Sequence, residues 1–220
     1  KNKFNSFLKE NEFFITENFD LERNRLYNLF RNNGVYGFQI NSIVFSVKID
    51  STRNNYSLPV DIIINGDDYK IFKIRNINLE EIDNETKFKF NNGFLQSKIK
   101  FRENSVFNDS LRKSTLKSLN NLDLFNFPSI QYAEASHNTL DANIILNNKK
   151  KFGLGFGFDL KQSDIEDIGI AFENRFKSRN FFKNGENLNL SASGSIGKSG
   201  KKTISQTNYD LTINFPRFLF

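Results

Sequence analysis

Apolar and polar residues alternate along four long runs in the last third of the chain, at 152–160, 168–176, 188–196 and 209–215. A period of two predicts β-strands with one apolar and one polar face. Each run spans about 9–13 residues, which suits a tilted strand crossing a bilayer, whereas strands of soluble proteins more often have about 5–6. The pattern is typical of a transmembrane β-barrel. A soluble antiparallel sandwich is the alternative.

Polar segments separate these four runs. The predicted turns are Ser163–Asp167, Lys183–Glu186 and Gly197–Lys201. Four strands are too few to close a barrel, since bacterial barrels need at least about eight. The remaining strands are therefore expected beyond Phe220 or in other chains.

Helical and strand patterns are mixed in the first part of the chain. Asn18 is predicted to cap a helix from Phe19 to about Asn33, and Gly34 fits the left-handed position that ends it. A shorter helix is expected around Phe7 to Phe14. Two alternating runs follow, Ile43–Ile49 and Leu58–Ile64, and the polar stretch Asp50–Tyr56 joins them as a hairpin loop.

The same order of elements recurs further along. Tyr69–Leu79 is predicted as a strand, Asn108 or Asp109 as the cap of a helix through Leu122, and Ser129–Ala135 and Leu140–Leu146 as strands. The segment from Glu80 to Lys98 has no clear pattern and is interpreted as an insertion. The recurrence predicts tandem α+β domains.

The predicted domains are an α+β domain at 1–66, incomplete at its N-terminus, a second at 67–148, and four barrel strands at 149–220. Methionine is absent from all 220 residues. The chain is therefore expected to be a processed protein or an excerpt of a longer one.

Composition excludes several kinds of chemistry. The chain has no cysteine, which excludes disulfides and thiolate sites, and its single histidine, His137, suggests neither a metal site nor a general base. Gly153–Gly157 is not a phosphate-binding loop because no helix follows it. Neither enzymatic activity nor a cofactor is expected.

The net charge of +6 fits an anionic membrane surface or nucleic acid. No dense basic helix face is present, so nucleic acid is not an expected partner. The cluster Lys149–Lys151 is interpreted as a solvated turn.

Four stretches carry a family resemblance when taken in order: ERNRLYNLFRNNGVYGF at 22–38, LRKSTL with LNNLDLF at 111–125, RNFFKNGE at 179–186 and FPR at 215–217. They resemble the BamA/TamA superfamily of outer-membrane β-barrel assembly proteins, and the first stretch is closest to the TamA-like lipoprotein branch, TamL. The Arg-Gly-Phe loop that the superfamily places in the barrel lumen does not occur in this sequence.

The resemblance implies a fold and a location. The α+β domains would be POTRA-like domains in the periplasm, followed by the N-terminal antiparallel strands of a transmembrane β-barrel, incomplete in this chain, in the outer membrane of a Gram-negative bacterium. Lys149–Lys151 would then lie at the periplasmic rim. The lipid-facing residues would include Ile168, Ile170, Phe172, Leu188, Leu190, Leu211 and Ile213.

The resemblance also implies a strand-pairing site. In the superfamily, the first barrel strand forms a weak seam to which a client strand adds through main-chain hydrogen bonds. Here this gate strand would comprise Phe152, Gly153, Leu154, Gly155, Phe156, Gly157 and Phe158. Its glycines would weaken the strand. The alternative is that the glycines only permit close packing or tight curvature.

The implied function is folding, insertion or export of outer-membrane proteins without enzymatic turnover. Partners would be unfolded outer-membrane protein clients, the lipid bilayer and accessory assembly proteins. Ser129–Ala135 is a second candidate edge for clients, unless it serves only its own sheet. A secretion pore dedicated to one partner protein and a periplasmic protein-interaction module are the alternative functions.

Overall fold

The computed structural model describes residues 5–49, 58–66, 68–82, 87–162 and 168–216. Strands form most of its regular structure. In chain order the elements are α1 (Thr16–Asn32), β1 (Ile43–Val47), β2 (Val60–Ile64), β3 (Lys73–Ile82), α2 (Phe94–Lys98), α3 (Asp109–Asn120), β4 (Phe125–Ala135), β5 (Thr139–Asn148), β6 (Phe152–Lys161), β7 (Ile168–Arg179), β8 (Asn187–Ser199) and β9 (Lys202–Asn214). The four long strands predicted from the alternating runs are therefore confirmed.

The strands form separate sheets. β1 and β2 pair antiparallel, with Ile43 opposite Ile64. β3, β5 and β4 form a sheet in that order, and β6, β7, β8 and β9 form a four-stranded antiparallel sheet in sequence order. The predicted loops Asp50–Tyr56 and Ser163–Asp167 lie outside the described residues.

The first helix differs from the prediction at its start. α1 begins at Thr16 after Ile15, which makes no side-chain capping bond, so the prediction that Asn18 is the cap is wrong. The backbone amide of Asn18 already lies in the first turn and donates to the Ile15 carbonyl at 3.1 Å. Gly34 has φ +100°, which confirms the predicted left-handed position after the helix.

No helix covers Phe7 to Phe14 in the described range 5–49, so that prediction is also wrong. The Phe7 amide donates to a carboxylate oxygen of Glu22 at 3.0 Å instead of entering a helical ladder. The ring of Phe14 packs against Phe19, with the centroids 4.9 Å apart. Contacts with α1 therefore hold this segment, and such contacts are invisible to local periodicity.

The second set of elements is shifted relative to the prediction. The Asn108 side chain accepts from the Leu111 amide at 3.0 Å, which confirms Asn108 as the cap of α3. β3 begins and ends later than the predicted Tyr69–Leu79, and β4 begins at Phe125, before the predicted Ser129. Within the segment 80–98, which was interpreted as an insertion, Phe94–Lys98 form α2.

The chain divides into two compact units. The first comprises Lys1–Asn78, Phe101–Ser114 and Gln131–Asn143. One of its cores contains buried Val35, Phe38 and Ile43, with α1 residues packed against it. Within this unit Arg31 lies over the ring of Phe107, 4.9 Å from its centroid, and pairs with the buried carboxylate of Asp109.

The second unit comprises Leu79–Lys100, Thr115–Ile130 and Ile144–Phe220. Its buried apolar side chains include Phe94, Leu119, Leu122, Leu124, Phe125, Ile144 and Leu146. All of these precede β6. The sheet β6–β9 therefore shares a unit with a core to which its own apolar face contributes little. The predicted domain ranges 1–66, 67–148 and 149–220 stay a prediction.

Within the described ranges, no α-helix has both the length and the apolar character needed to span a membrane.

Candidate functional site

Strand β6 forms one edge of the four-stranded sheet. Its inner side pairs with β7 over its whole length, from Phe152 opposite Ser178 to Lys161 opposite Gly169. No strand in the described part of the chain pairs with its outer side. In an antiparallel strand every second residue directs its N–H and C=O outward, so the ten residues of β6 present about five donor–acceptor pairs there.

One face of this edge strand is apolar and exposed. Its side chains Phe152, Leu154, Phe156, Phe158 and Leu160 are 57–80% exposed. The register continues this face across the sheet, because Leu154 lies opposite Phe176 and Phe176 opposite Leu190. A row of large apolar side chains that no described part of the chain covers suits an apolar solvent better than water.

The opposite face of β6 is bare at three positions. Gly153, Gly155 and Gly157 lie opposite Lys177, Arg175 and Glu173. Arg175 and Glu173 form a two-pronged ion pair along β7, with N–O distances of 2.6 and 2.5 Å. The glycines therefore leave a charged strip of β7 without neighbouring side chains on β6.

Packing within the described sheet does not require these glycines. A Cβ atom at Gly153, Gly155 or Gly157 would find its nearest neighbours at 3.6–3.7 Å, an ordinary van der Waals distance. Their φ angles are also open to other residues. Close packing against β7 therefore does not explain why these three positions are glycines. Their other physical effect is to weaken the strand, because a glycine loses more backbone entropy on folding than other residues.

Gly194 on β8 is a different kind of glycine. It lies opposite Phe172, and a Cβ atom there would approach the ring to 2.6 Å. The aromatic ring thus covers the glycine on the apolar face. The sheet uses glycine for packing at this position and not along β6.

Ion pairs and hydrogen bonds around Asp123 form a junction at the base of the sheet β6–β9, which is the end where β6 begins and β7 ends. The Asp123 carboxylate pairs with the ammonium groups of Lys149 and Lys177. Arg179 donates from Nε to the Asp123 carbonyl at 3.0 Å and from Nη1 to the Lys150 carbonyl at 3.0 Å. The loop before β4 is therefore tied both to the β5–β6 connection and to the end of β7.

The surroundings of Asp123 affect its protonation. Partial burial alone would raise its pKa, but hydrogen bonds from Lys149 and Lys177 together with their positive charges lower the pKa below its usual value. The carboxylate is therefore charged at neutral pH. Two lysines and one arginine surround it, so the junction as a whole is basic.

Hydrogen bonds between its own side chains and backbone amides hold the turn between β7 and β8. The buried carboxylate of Glu186 accepts the backbone amides of Phe182 and Asn184 at 3.2 and 3.0 Å, and Asn180 accepts that of Gly185 at 2.9 Å. Gly185 has φ +80°, and a Cβ atom there would lie 2.5 Å from the Phe94 ring. This confirms the predicted turn at Lys183–Glu186 and shows why it needs a glycine.

The residues predicted to face lipid lie on the exposed apolar side where their side chains are described. Ile170, Phe172, Leu190, Leu211 and Ile213 are exposed and Leu188 is half-buried. The side chain of Ile168 lies outside the described set. That these residues contact lipid stays a prediction.

Other candidates lie apart from this sheet edge. β4, which includes Ser129–Ala135, forms an edge of the sheet β3–β5–β4. His137 and Asn138 have φ +60° and +55° in the turn between β4 and β5. No group of three or more His, Cys, Asp or Glu side chains suited to a metal ion is found among the residues that the structure describes.

Sequence reasoning missed the role of Asp123. The cluster Lys149–Lys151 was interpreted as a solvated turn, yet Lys149 forms an ion pair with this aspartate. Lys177 lies 54 positions from Asp123 along the chain. A single acidic residue between leucines gives no periodic signal, so only the fold reveals the pairing.

Comparison with known proteins gives a fold but no sequence family. No protein-family model matches the chain, and no curated protein matches it. A crystal structure of BamA from Haemophilus ducreyi lacking POTRA domains 1–3 is similar, with a TM-score of 0.53 and 9% identity over 92% of this chain and 42% of that one. CdiB from Acinetobacter baumannii is similar with a TM-score of 0.55 and 15% identity, over 93% of this chain and 34% of that one.

The chain therefore has the fold of a segment of BamA and CdiB, and it spans less than half the length of either structure. This fold agrees with the fold that the resemblance in the sequence implies. Neither structure supports the narrower assignment to the TamL branch.

Proposed function

We propose that this chain belongs to an outer-membrane protein that folds, inserts or exports client proteins, and that clients pair with the free edge of β6. The observation that carries the proposal is the combination found on β6: an outer edge with which no described strand pairs, an exposed apolar face and three glycines that packing does not require. The similarity of fold to BamA and CdiB supports it.

The mechanism uses main-chain chemistry. A client segment adds beside β6 and pairs with the outward N–H and C=O groups, which requires little from the client sequence. Client side chains that alternate in the same way then continue the apolar and polar faces. The glycines keep this edge weakly ordered, so that pairing is reversible.

The membrane placement follows from the same strand. The exposed apolar face contacts lipid, and the face with Lys177, Arg175 and Glu173 contacts the water-filled interior. The α+β parts are POTRA-like domains in the periplasm, where they meet unfolded clients and accessory assembly proteins. Within the superfamily, the stretch at 22–38 favours the TamA-like lipoprotein branch.

Site-specific photo-crosslinking tests the pairing edge. Phe156 on β6 and Tyr209 on β9 are 80% and 79% exposed, and the register places them in one row across the sheet. A photoreactive phenylalanine analogue at Phe156 should crosslink to newly made outer-membrane barrel proteins, and the same analogue at Tyr209 should not. Equal adducts at both positions, or at Tyr209 alone, would contradict pairing at β6.

Depletion of the full-length protein separates the candidate functions. Loss of many outer-membrane barrel proteins is the expected result. Loss of one secreted protein alone would favour the dedicated secretion pore. An intact envelope would favour the protein-interaction module.

Cysteine labelling tests the orientation in the membrane. The chain has no cysteine, so single substitutions add the only thiol within it. Lys201→Cys lies in the turn between β8 and β9 and should react with a membrane-impermeant maleimide in intact cells. Lys183→Cys in the turn between β7 and β8 should react only after lysis. The reverse pattern would overturn the orientation.

A further inference from the structure

Main-chain pairing at the outer edge of β6 leaves the position of a client strand open. The outward N–H and C=O groups accept a strand at several offsets, and register is weakly specified where a strand is rich in glycine, as β6 is. The apolar face restricts the client to offsets of two residues and does not distinguish among them. A defined register therefore needs a further signal, and the polar face of the sheet carries charges that supply one.

A charged pair on β7 lies beside two of the glycines of β6. Arg175 lies opposite Gly155, and Glu173 lies opposite Gly157. A Cβ atom at Gly155 would have Cβ of Arg175 at 3.7 Å, and one at Gly157 would have Oε2 of Glu173 at 4.0 Å. The Glu173 carboxylate therefore lies next to the bare backbone of β6.

This pair has neighbouring side chains on β8 and none on β6. In the same two rows of the sheet, the register places Ser191 and Ser193 on β8. The side chains of Arg175 and Glu173 are 70% and 31% exposed. Exposed ion pairs contribute little to stability, so both groups are available to a further charge on the side of β6.

The charges along this edge change sign from one end to the other. Nη1 of Arg179 would lie 3.7 Å from a Cβ atom at Gly153, so positive charge lies toward the base of the sheet. Beyond Gly157, the next residue on the polar face of β6 is Asp159, which is exposed. Negative charge therefore lies toward the other end. Such a gradient distinguishes the two directions in which a client strand can lie.

The client strand lies within reach of the charges on β7. Neighbouring strands are about 4.8 Å apart, so a strand added beside β6 lies about 10 Å from β7. The glycines leave the space between them empty. A long charged side chain of the client and a long charged side chain of β7 meet above the glycine that separates them.

We infer that Arg175 and Glu173 set the register and direction of the client strand by charge. The matching client has an acidic side chain in the row of Gly155 and a basic one in the row of Gly157. An antiparallel client passes the row of Gly157 first, so its sequence reads basic–x–acidic. The inference rests on the proposed function, because it requires a client strand beside β6.

Two peptides of identical composition test this charge order. Each has ten residues, the length of β6, and alternates valine and threonine except at two adjacent polar-face positions in its middle. These positions carry Lys then Glu in one peptide (Lys-x-Glu) and Glu then Lys in the other (Glu-x-Lys). The full-length protein in lipid vesicles, with a photoreactive phenylalanine analogue at Phe156, is irradiated with each peptide.

The Lys-x-Glu peptide should give about three- to tenfold more adduct, since it gains two exposed ion pairs where Glu-x-Lys meets like charges. Antiparallel pairing is the more stable arrangement, so a reversed Glu-x-Lys peptide should not compensate fully. Phe156 lies between the rows of Gly155 and Gly157. Mass spectrometry should therefore locate the adduct at the residue between Lys and Glu.

A charge-inverted protein makes the result specific. Glu173→Arg combined with Arg175→Glu keeps the net charge and an ion pair along β7, but reverses its polarity. This variant should prefer the Glu-x-Lys peptide by a similar factor. A Gln-x-Gln peptide of otherwise identical sequence should give equal adducts with both proteins, which controls for folding and for edge pairing alone.

The outcomes separate this inference from the proposed function. A preference for Lys-x-Glu that reverses in the charge-inverted protein supports the inference. Equal adducts of all three peptides at Phe156 overturn charge recognition and leave pairing at β6 intact. The same preference in both proteins also overturns it, because the preference then comes from the peptides. Adducts at Phe156 no greater than those at Tyr209 overturn the proposed pairing itself, and the inference with it.

Discussion

Strands β5 and β6 follow each other along the chain and alternate in the same way, but their apolar faces meet opposite surroundings. Every second residue of β5 is fully buried: Leu140, Ala142, Ile144 and Leu146. Every second residue of β6 is large, apolar and exposed: Phe152, Leu154, Phe156, Phe158 and Leu160. Alternation thus determines that a strand has two faces, and it leaves open what covers the apolar one.

The difference between the two strands lies in what packs on them. β5 is the central strand of β3–β5–β4, and its apolar side chains belong to the protein core. β6 is an edge strand, and the apolar face of its sheet lacks a covering layer in the described part of the chain. Our proposal assigns lipid to that face. Substitutions on the two strands should therefore follow different rules, which gives four predictions.

The largest effect is expected in the buried strand. Leu146→Ala should lower the free energy of unfolding by about 2–5 kcal/mol, because it leaves a cavity in a close-packed core. Leu154→Ala on β6 should cost only about 2 kcal/mol, since the transfer of its three lost carbon groups is the only loss and lipid fills the space. Denaturant unfolding in lipid vesicles measures both values. A larger cost for Leu154→Ala would indicate a protein layer over β6.

A charge on the exposed face gives the next effect. Phe156→Arg should cost about 2–4 kcal/mol if this position lies near the bilayer midplane. Ser193→Arg on β8 is the control, because the register places Ser193 opposite Glu173 on the polar face. Its cost should be small. Equal costs for both variants in vesicles, or a gain for Phe156→Arg, would favour the soluble sandwich.

The same contrast explains how much of the fold the sequence predicts. Each of the four long strands contains an alternating run, so periodicity predicted that β6, β7, β8 and β9 exist. It missed the start of β9 at Lys202, because Thr203, Ser205 and Thr207 continue the row of Tyr209 with polar side chains. The bounds of β4 were less predictable, because Phe127 and Asn126 break the alternation there and hide its beginning at Phe125.

Elements held by distant contacts were not predictable. The segment 80–98 has no periodic pattern, and its helix α2 places Phe94 against Gly185, far along the chain. The strand-pairing site on β6 was predicted from a local signal, its alternating glycines, and it stays a prediction. Asp123 was missed because its partners, Lys149 and Lys177, become neighbours only in the fold.

Asp123→Asn tests the junction at the base of the sheet. Above pH 5 the substitution should cost at most about 1 kcal/mol, because the carboxylate is more than one third exposed and solvent screens its pairs with the lysines. The folded protein holds the pKa of Asp123 below its ordinary value of 3.8, so the stability that it contributes is present above that value.

The stability difference between the wild type and Asp123→Asn should shrink as the pH falls. As the pH falls through the folded-state pKa, the carboxylate becomes protonated and the advantage of the wild type over Asp123→Asn should disappear. Denaturant unfolding of both proteins between pH 7 and the acidic limit measures this loss. A constant difference at all pH values would mean that geometry, and not charge, gives Asp123 its role.

The smallest expected effect distinguishes the two kinds of glycine in the sheet. Gly155→Ala should stabilise the folded protein by about 0.5–1 kcal/mol, because it restricts the unfolded chain and its Cβ atom fits. The nearest atom would be Cβ of Arg175 at 3.7 Å. Gly194→Ala should instead destabilise the folded protein, since its Cβ atom would lie 2.6 Å from the ring of Phe172.

If a weak edge at β6 serves client pairing, Gly155→Ala should also reduce crosslinking of clients at Phe156 while it raises stability. A variant that is more stable and still crosslinks as well as the wild type would separate the glycines from client pairing, and a destabilised Gly155→Ala would show that they serve packing after all.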